Sequence, residues 1–289
     1  MRSVLTPLIA LVAGAFLSFW PLEGQSCPTC NSQPTFACPE GASPVCVQNG
    51  VWECSDGSPG CSVPPPNWVY QSCEGVGASC TDTGWQCNPP SPIIIDTKGE
   101  GFHLTDAAHG VKFPFAPGGP AVQVSWTDPA YSNGFLVLDR NGNGMIDDGT
   151  ELFGNLTPQP PSRTPNGFLA LAVFDKPANG GNGNGFIDPG DAVYRKLRVW
   201  IDANHNGLSE PGELHTLAES GIVRIDLKYH SSGYVDEFGN LFRYGAKIWE
   251  AAGREHDFCY DVFFQVAGED PAAAARAATA FDLLARPRR

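Results

Sequence analysis

Basic side chains are scarce in this chain of 289 residues: 18 Lys and Arg stand against 31 Asp and Glu, a formal net charge of −13. A chain so acidic is a poor partner for nucleic acid or an anionic membrane surface, both of which select Lys and Arg. Catalytic signatures are lacking too. The six histidines fall into no His-Glu-x-x-His pattern, and no Gly-x-Ser-x-Gly elbow is present. Glu255-His256-Asp257 is the one polar cluster with catalytic residue types, and it reads better as a solvated turn. Long apolar runs are confined to the start, where Val4 to Trp20 follows Arg2 and precedes small residues at Gly24 and Ser26. That pattern is a secretory signal peptide over residues 1–26, and no transmembrane segment follows it. Cleavage there exposes Cys27, but Gly24-Gln25-Ser26 departs from a lipoprotein lead, which argues against a lipid anchor at Cys27. The expected location is secreted, cell-surface or periplasmic.

Cysteine is nearly absent from the larger part of the chain and crowded at its head. Nine of the ten cysteines lie between Cys27 and Cys87. Behind a signal peptide this density reads as a disulfide module over residues 27–90, able to hold a shape without a core. The module repeats internally: Cys38, Cys46 and Cys54 are echoed by Cys73, Cys80 and Cys87, with Trp52 and Trp85 two residues before the last cysteine of each set. Nine is odd, so a bond from the head to Cys259 is expected. The module is the candidate surface for an extracellular protein or cell-surface partner. Asn88-Pro-Pro-Ser-Pro92 is a stiff spacer closing it.

What the chain does have is a threefold pattern of acids, amides and glycines between Gly134 and Leu214. Calcium takes six to eight oxygens, arranged in a loop whose sixth residue is a turn-making glycine. The third copy supplies Asp202, Asn204 and Asn206 at positions 1, 3 and 5, Gly207 at 6, the carbonyl of Leu208 at 7, Glu210 at 9 and Glu213 at 12. The first supplies Asp139, Asn141, Asn143, the Met145 carbonyl and Asp147, with Ile146 at position 8; Thr150 stands at position 12, so Glu151 is assigned the closing role. The second has Asn182, Asn184, the Phe186 carbonyl, Asp188 and Asp191, but Gly180 at position 1 has no side chain. Asp175 supplies its first oxygen if Lys176 to Asn179 bulge out. A fourth stretch, Asp96 to Gly101, puts Lys98 where an oxygen belongs and is expected not to bind. Asn-Gly clusters also make ordinary turns, and it is the repetition that favours calcium. Asn in place of Asp lowers ligand charge, which predicts affinities in the extracellular class, Kd of order 10⁻⁴–10⁻³ M.

Strands are expected at Ile93 to Ile95, Val111 to Phe115, Val122 to Trp126, Phe135 to Leu138, Ile222 to Tyr229, Phe238 to Lys247 and Tyr260 to Val266. Asn166 is expected to cap a helix carrying Phe168, Leu169 and Leu171; a second helix is expected from Pro189, and a third from Glu213 to Ser220, stopped by Gly221. The fold class is therefore α+β, with EF-hand-like calcium loops packed on a small, mostly antiparallel sheet over residues 91–266. A mobile Ala/Arg-rich tail is expected over 267–289.

Residues 92 to about 229 resemble a calcium-binding region of bacterial secreted proteins, including the self-processing module of RTX-type proteins. The resemblance rests on Pro92-Ile-Ile-Ile-Asp96, on Gly134 to Gly144 followed by Glu151-Leu-Phe-Gly154, on Gly167-Phe-Leu-Ala-Leu, and on Leu197 to Asp202 running to Glu213-Leu. It implies folding driven by calcium. In self-processing members an Asp-Pro bond at the N-terminal edge is cut by the aspartate's own carboxylate; here the place is held by Ser91-Pro92, which cannot form the cyclic anhydride. Enzymatic activity is therefore disfavoured and a structural or interaction role is expected, the alternative being a calcium-dependent self-processing or hydrolytic enzyme.

Overall fold

The computed structural model describes residues 89–160, 162, 164–250 and 255–267, with short strands between 36 and 87. The signal peptide, the cysteine pairings of the head and the tail beyond residue 267 lie outside the described residues. In the head, β1 (Phe36–Ala37) pairs with β4 (Cys61–Ser62), β2 (Pro44–Cys46) with β3 (Trp52–Cys54), and β5 (Ala78–Thr81) with β6 (Gly84–Cys87).

The main domain is built on strand β7 (Ile93–Asp96), whose Ile93, Ile94 and Ile95 are all fully buried. A run of three isoleucines with no polar alternation suits a strand covered on both faces. Ile93 and Ile95 enter one apolar cluster and Ile94 the other, as the two-residue period of a strand requires. Around β7 an all-antiparallel, nine-stranded sheet assembles. Its order is β11 (Phe186–Ile187), β14 (Ile222–Asp226), β16 (Leu241–Glu250), β17 (Glu255–Phe263), β7, β10 (Asn133–Val137), β12 (Arg198–Trp200) and β13 (Leu214–Thr216), while β15 (His230–Val235) also pairs with β16. A separate hairpin joins β8 (Val111–Phe113) to β9 (Val122–Val124).

Helix is limited, among the described residues, to α1 (Gly167–Ala172) and two 3₁₀ turns at Val173–Asp175 and Pro177–Asn179. Asn166 caps α1 as expected, its Oδ1 accepting from the N–H groups of Phe168 and Leu169. The other two expected helices do not form, and the α+β, EF-hand-like assignment gives way to a mostly β fold. From Pro189 the chain makes single turns, Asp191 N–H to Asp188, Tyr194 N–H to Asp191 and Lys196 N–H to Val193, before entering β12. Too few residues separate the loop from the strand for a helix to propagate. After Glu213 the chain instead pairs with the free edge of β12 as β13, Trp200 opposite Leu214. The stop at Gly221 is real but ends a turn, with φ +74°. Cys259 is a free, fully buried thiol in β17, its Sγ facing the Ala246 carbonyl at 3.6 Å, so the expected bond to the head is not made. Among the described residues no helix is long and apolar enough to cross a membrane.

Candidate metal centre

All three loops share one hydrogen-bond plan. The first acid accepts the backbone N–H groups of positions 5 and 6: Asp139 from Asn143 and Gly144, Asp202 from Asn206 and Gly207, and Asp175 from Asn184 and Gly185, at 2.8–3.2 Å. In the second loop Asp175 makes the bonds that the position-1 acid makes in the other two, and the intervening Pro177–Asn179 forms the second 3₁₀ turn. The fit is close: a Cβ on Gly181 would lie 2.1 Å from the Asp175 carbonyl. At position 6, Gly144, Gly185 and Gly207 have φ of +84°, +84° and +70°, a conformation that disfavours any side chain. Position 4 is also left-handed, glycine in two loops and His205 in the third, at φ +57°. His205 Nε2 is 2.8 Å from the His109 carbonyl, which ties that loop to the segment before β8.

The closing acids repeat as well. Glu151, Asp191 and Glu213 are 2%, 2% and 8% exposed. Each accepts the N–H of position 9 together with an N–H near the start of its loop: Asp147 and Arg140 for Glu151, Asp188 and Asn182 for Asp191, Glu210 and Ala203 for Glu213. In the first loop it is Glu151, one residue past Thr150, that makes these bonds. Burial pushes its carboxyl above the usual range, and the neighbouring Asp147 charge pushes the same way, while three backbone N–H groups pull it back.

Side chains at positions 3 and 5 turn toward the acid at position 9. The amides of Asn141 and Asn143 donate to Asp147, those of Asn182 and Asn184 to Asp188, and those of Asn204 and Asn206 to Glu210. A half-turn of each amide exchanges Nδ2 for Oδ1 and presents oxygen to the same point. Among the described residues no three carboxylate, imidazole or thiolate side chains form a ready-made metal cluster. The closing acids are engaged by backbone N–H groups, so an ion here needs amide and carbonyl oxygens beside carboxylate. That donor set, all oxygen and of mixed charge, fits a hard cation of the calcium type. The fourth stretch has the same frame without the ligands: Asp96 accepts from Lys98, Gly99 and Gly101 N–H groups, and Lys98 remains at the third position.

Two features were not readable from spacing. The third loop is wired to the aromatic core: Trp126 Nε1 donates to Asp202 Oδ2 at 2.8 Å and Trp200 Nε1 to Glu213 Oε2 at 3.2 Å, both indoles being fully buried. Loops one and three also meet at position 8, where Ile146 N–H donates to Ser209 Oγ at 2.6 Å. Loop two makes its position-8 contact elsewhere, Ile187 pairing with Ile225 of β14.

Ser91 and Pro92 lie at the start of β7 in a tightly closed place. Ser91 is 1% exposed; its N–H donates to Asn155 Oδ1 at 3.1 Å, and its Oγ accepts the Asn155 N–H at 3.2 Å. Asp261 of β17 is fully buried nearby. Its Oδ2 accepts the Gly167 N–H at 2.6 Å, and among the described residues its Oδ1 meets no hydrogen-bond partner.

Residues 93–265 match the family model described as SPM domain. Over 141 residues the chain is 38% identical to the iron-regulated protein FrpA of Neisseria meningitidis serogroup C. The match covers 48% of this chain and 12% of that protein, so the chain spans a small part of its relative's length.

Proposed function

We propose that this chain, which belongs to the SPM domain family through residues 93–265, is a secreted calcium-binding protein whose β domain is stabilised by two or three calcium ions. The observation that carries the reading is the threefold repetition of one loop plan, including the recruitment of Asp175 across the bulge. Asp202, Asn204, Asn206, Leu208, Glu210 and Glu213 would hold an ion in the third loop, and their equivalents in the other two. Calcium supplies there a compensating charge for carboxylates that otherwise repel one another. The protein's own contribution is to pre-arrange the loops: positive-φ residues set the turns, buried acids pin the ends, and the Ser209 bridge joins two loops. The role is structural or interactive, with the cysteine-rich head as the module for an extracellular or cell-surface partner. No cleavage is proposed at Ser91–Pro92, where a hydroxyl stands and a carboxylate is needed.

The test is a calcium titration of the full secreted chain read by tryptophan fluorescence and thermal melting. With Kd near 1 mM, 10 mM calcium stabilises by roughly 1.4 kcal/mol per site. Because Trp126 and Trp200 touch the third loop, the indole signal should move with calcium, and Glu213→Gln should weaken that response most. Absence of any shift in melting or fluorescence refutes the reading; equal titrations for mutant and parent refute the assignment of Glu213.

A further inference from the structure

A cleft of about 560 Å³ opens on the side of the domain where the segment before β8 meets the turn between β15 and β16. Its aromatic walls are Phe102, Tyr131, Tyr234 and Phe238. Soluble surfaces usually cover such rings, yet Tyr234 is 59% and Phe238 38% exposed. The walls are preformed: Phe102 packs edge-on against Phe242 and Tyr260 at 5.6 and 5.2 Å, Tyr234 lies 5.1 Å from Phe242, and the His103 ring stacks on Tyr131 at 3.6 Å. The carboxylates of the lining are Asp106, Asp128, Asp236 and Glu237, set beside the imidazoles of His103 and His109 and with neither Lys nor Arg. Asp236 is committed to the Phe238 and Asn240 N–H groups, and Asp128 to that of Ala130, so these two shape the loops. Asp106 is paired with His109, whose Nδ1 lies 2.8 Å from its Oδ1 and whose side-chain and backbone bonds hold its carboxyl below the usual range.

Open aromatic faces beside carboxylates that meet no Lys or Arg in the lining favour a cation that also stacks. A neutral sugar would use the rings but leave the carboxylates uncompensated. Guanidinium does both, since it lies flat on an aromatic ring and pairs with carboxylate through fixed N–H groups. We propose that this cleft binds an arginine-bearing peptide segment of a partner protein, its guanidinium groups lying on Tyr234 and Phe238 and pairing with Asp106 and Glu237. The cleft is separate from the three loops but touches the third through the His109 carbonyl and His205 at 2.8 Å, so calcium is held constant in the test.

The experiment uses the full chain at fixed calcium and a fluorescein-labelled acetyl-Gly-Arg-Gly-Arg-Gly-amide, read by anisotropy. Asp106→Asn with Glu237→Gln should weaken binding roughly tenfold, and Tyr234→Ala roughly threefold, with Tyr234→Phe restoring it. A control pair outside the cleft, Glu219→Gln with Asp226→Asn, should bind as the parent does, and circular dichroism should show all variants folded. The proposal is overturned if the peptide does not bind, if both charge pairs weaken it equally, or if Gln in place of each peptide Arg makes no difference. Displacement of the peptide by a neutral oligosaccharide would reassign the cleft to sugar. Tenfold tighter binding after Arg276, Arg286, Arg288 and Arg289 are changed to Gln would reassign it to the chain's own basic stretch.

Discussion

Asp261→Asn should make the protein more stable at alkaline pH and flatten its dependence on pH. Burial pushes the Asp261 carboxyl up from 3.8 to about 7, with the Gly167 N–H, Ser91 and the Arg243 guanidinium holding it down in part. The folded state therefore binds a proton that the unfolded state has already released between pH 4 and 7. Stability from this group is full below about pH 4 and is lost as pH rises through 7. Three units correspond to about 4 kcal/mol, of which about 2 kcal/mol falls between pH 5 and 7. Asparagine has nearly the same volume, keeps an acceptor for the Gly167 N–H and never ionises. Urea denaturation of parent and variant in the same buffer series, from pH 5 to 8.5, measures the difference directly, because titrations elsewhere in the molecule cancel. The variant should gain on the parent by a few kcal/mol toward the alkaline end. Parallel curves would mean that Asp261 is solvated and ionised in the fold, and the argument from its unpartnered Oδ1 would fail.

Other expectations follow from packing. Gly154→Ala would place a Cβ 2.4 Å from the Ser91 carbonyl oxygen, against backbone that cannot yield, and should cost roughly 3 kcal/mol or more in urea unfolding. Gly185→Ala meets nothing within 4 Å and suffers only its φ of +84°, so a loss near 1 kcal/mol is expected; equal losses would contradict the clash. The Cys259 thiol, pushed up to about 12 by burial, should resist iodoacetamide at pH 8 until denaturant is added. Rapid labelling of the native chain, or a disulfide to the head found by peptide mapping, would contradict its burial.

The turn plan of the loops was legible in the spacing of acids, amides and glycines, and the backbone bonds of Asp175 to Asn184 and Gly185 run across the stretch where a bulge was expected. The strands were legible where apolar runs were long, as at Ile93 to Ile95. The helices expected after Pro189 and Glu213 failed for a tertiary reason: the free edge of β12 offered Leu214 to Thr216 more hydrogen bonds than an isolated helical turn could. The same blindness covers Asp261, which in Tyr260-Asp-Val-Phe263 looks like an outward-facing strand residue. Only the meeting of β17 with the start of α1 and with Ser91 removes it from water. Likewise the indole donors of Trp126 and Trp200 lie 76 and 13 residues from their carboxylates, beyond any local pattern.

The place of β7 in the sheet bears on the timing of folding during synthesis. The first strand of the domain lies between β10 and β17, the latter being the last strand described, with Ile94 opposite both Phe135 and Tyr260. Until residue 263 has emerged, β7 has a bare edge and neither apolar cluster can close, because Val262 and Phe264 complete one and Cys259 the other. The sheet cannot assemble progressively from the N-terminus; it forms when its ends meet. Such long-range closure is slow. The domain therefore cannot be completed before β17 has emerged, and a cut that removes β17 undoes it from its middle.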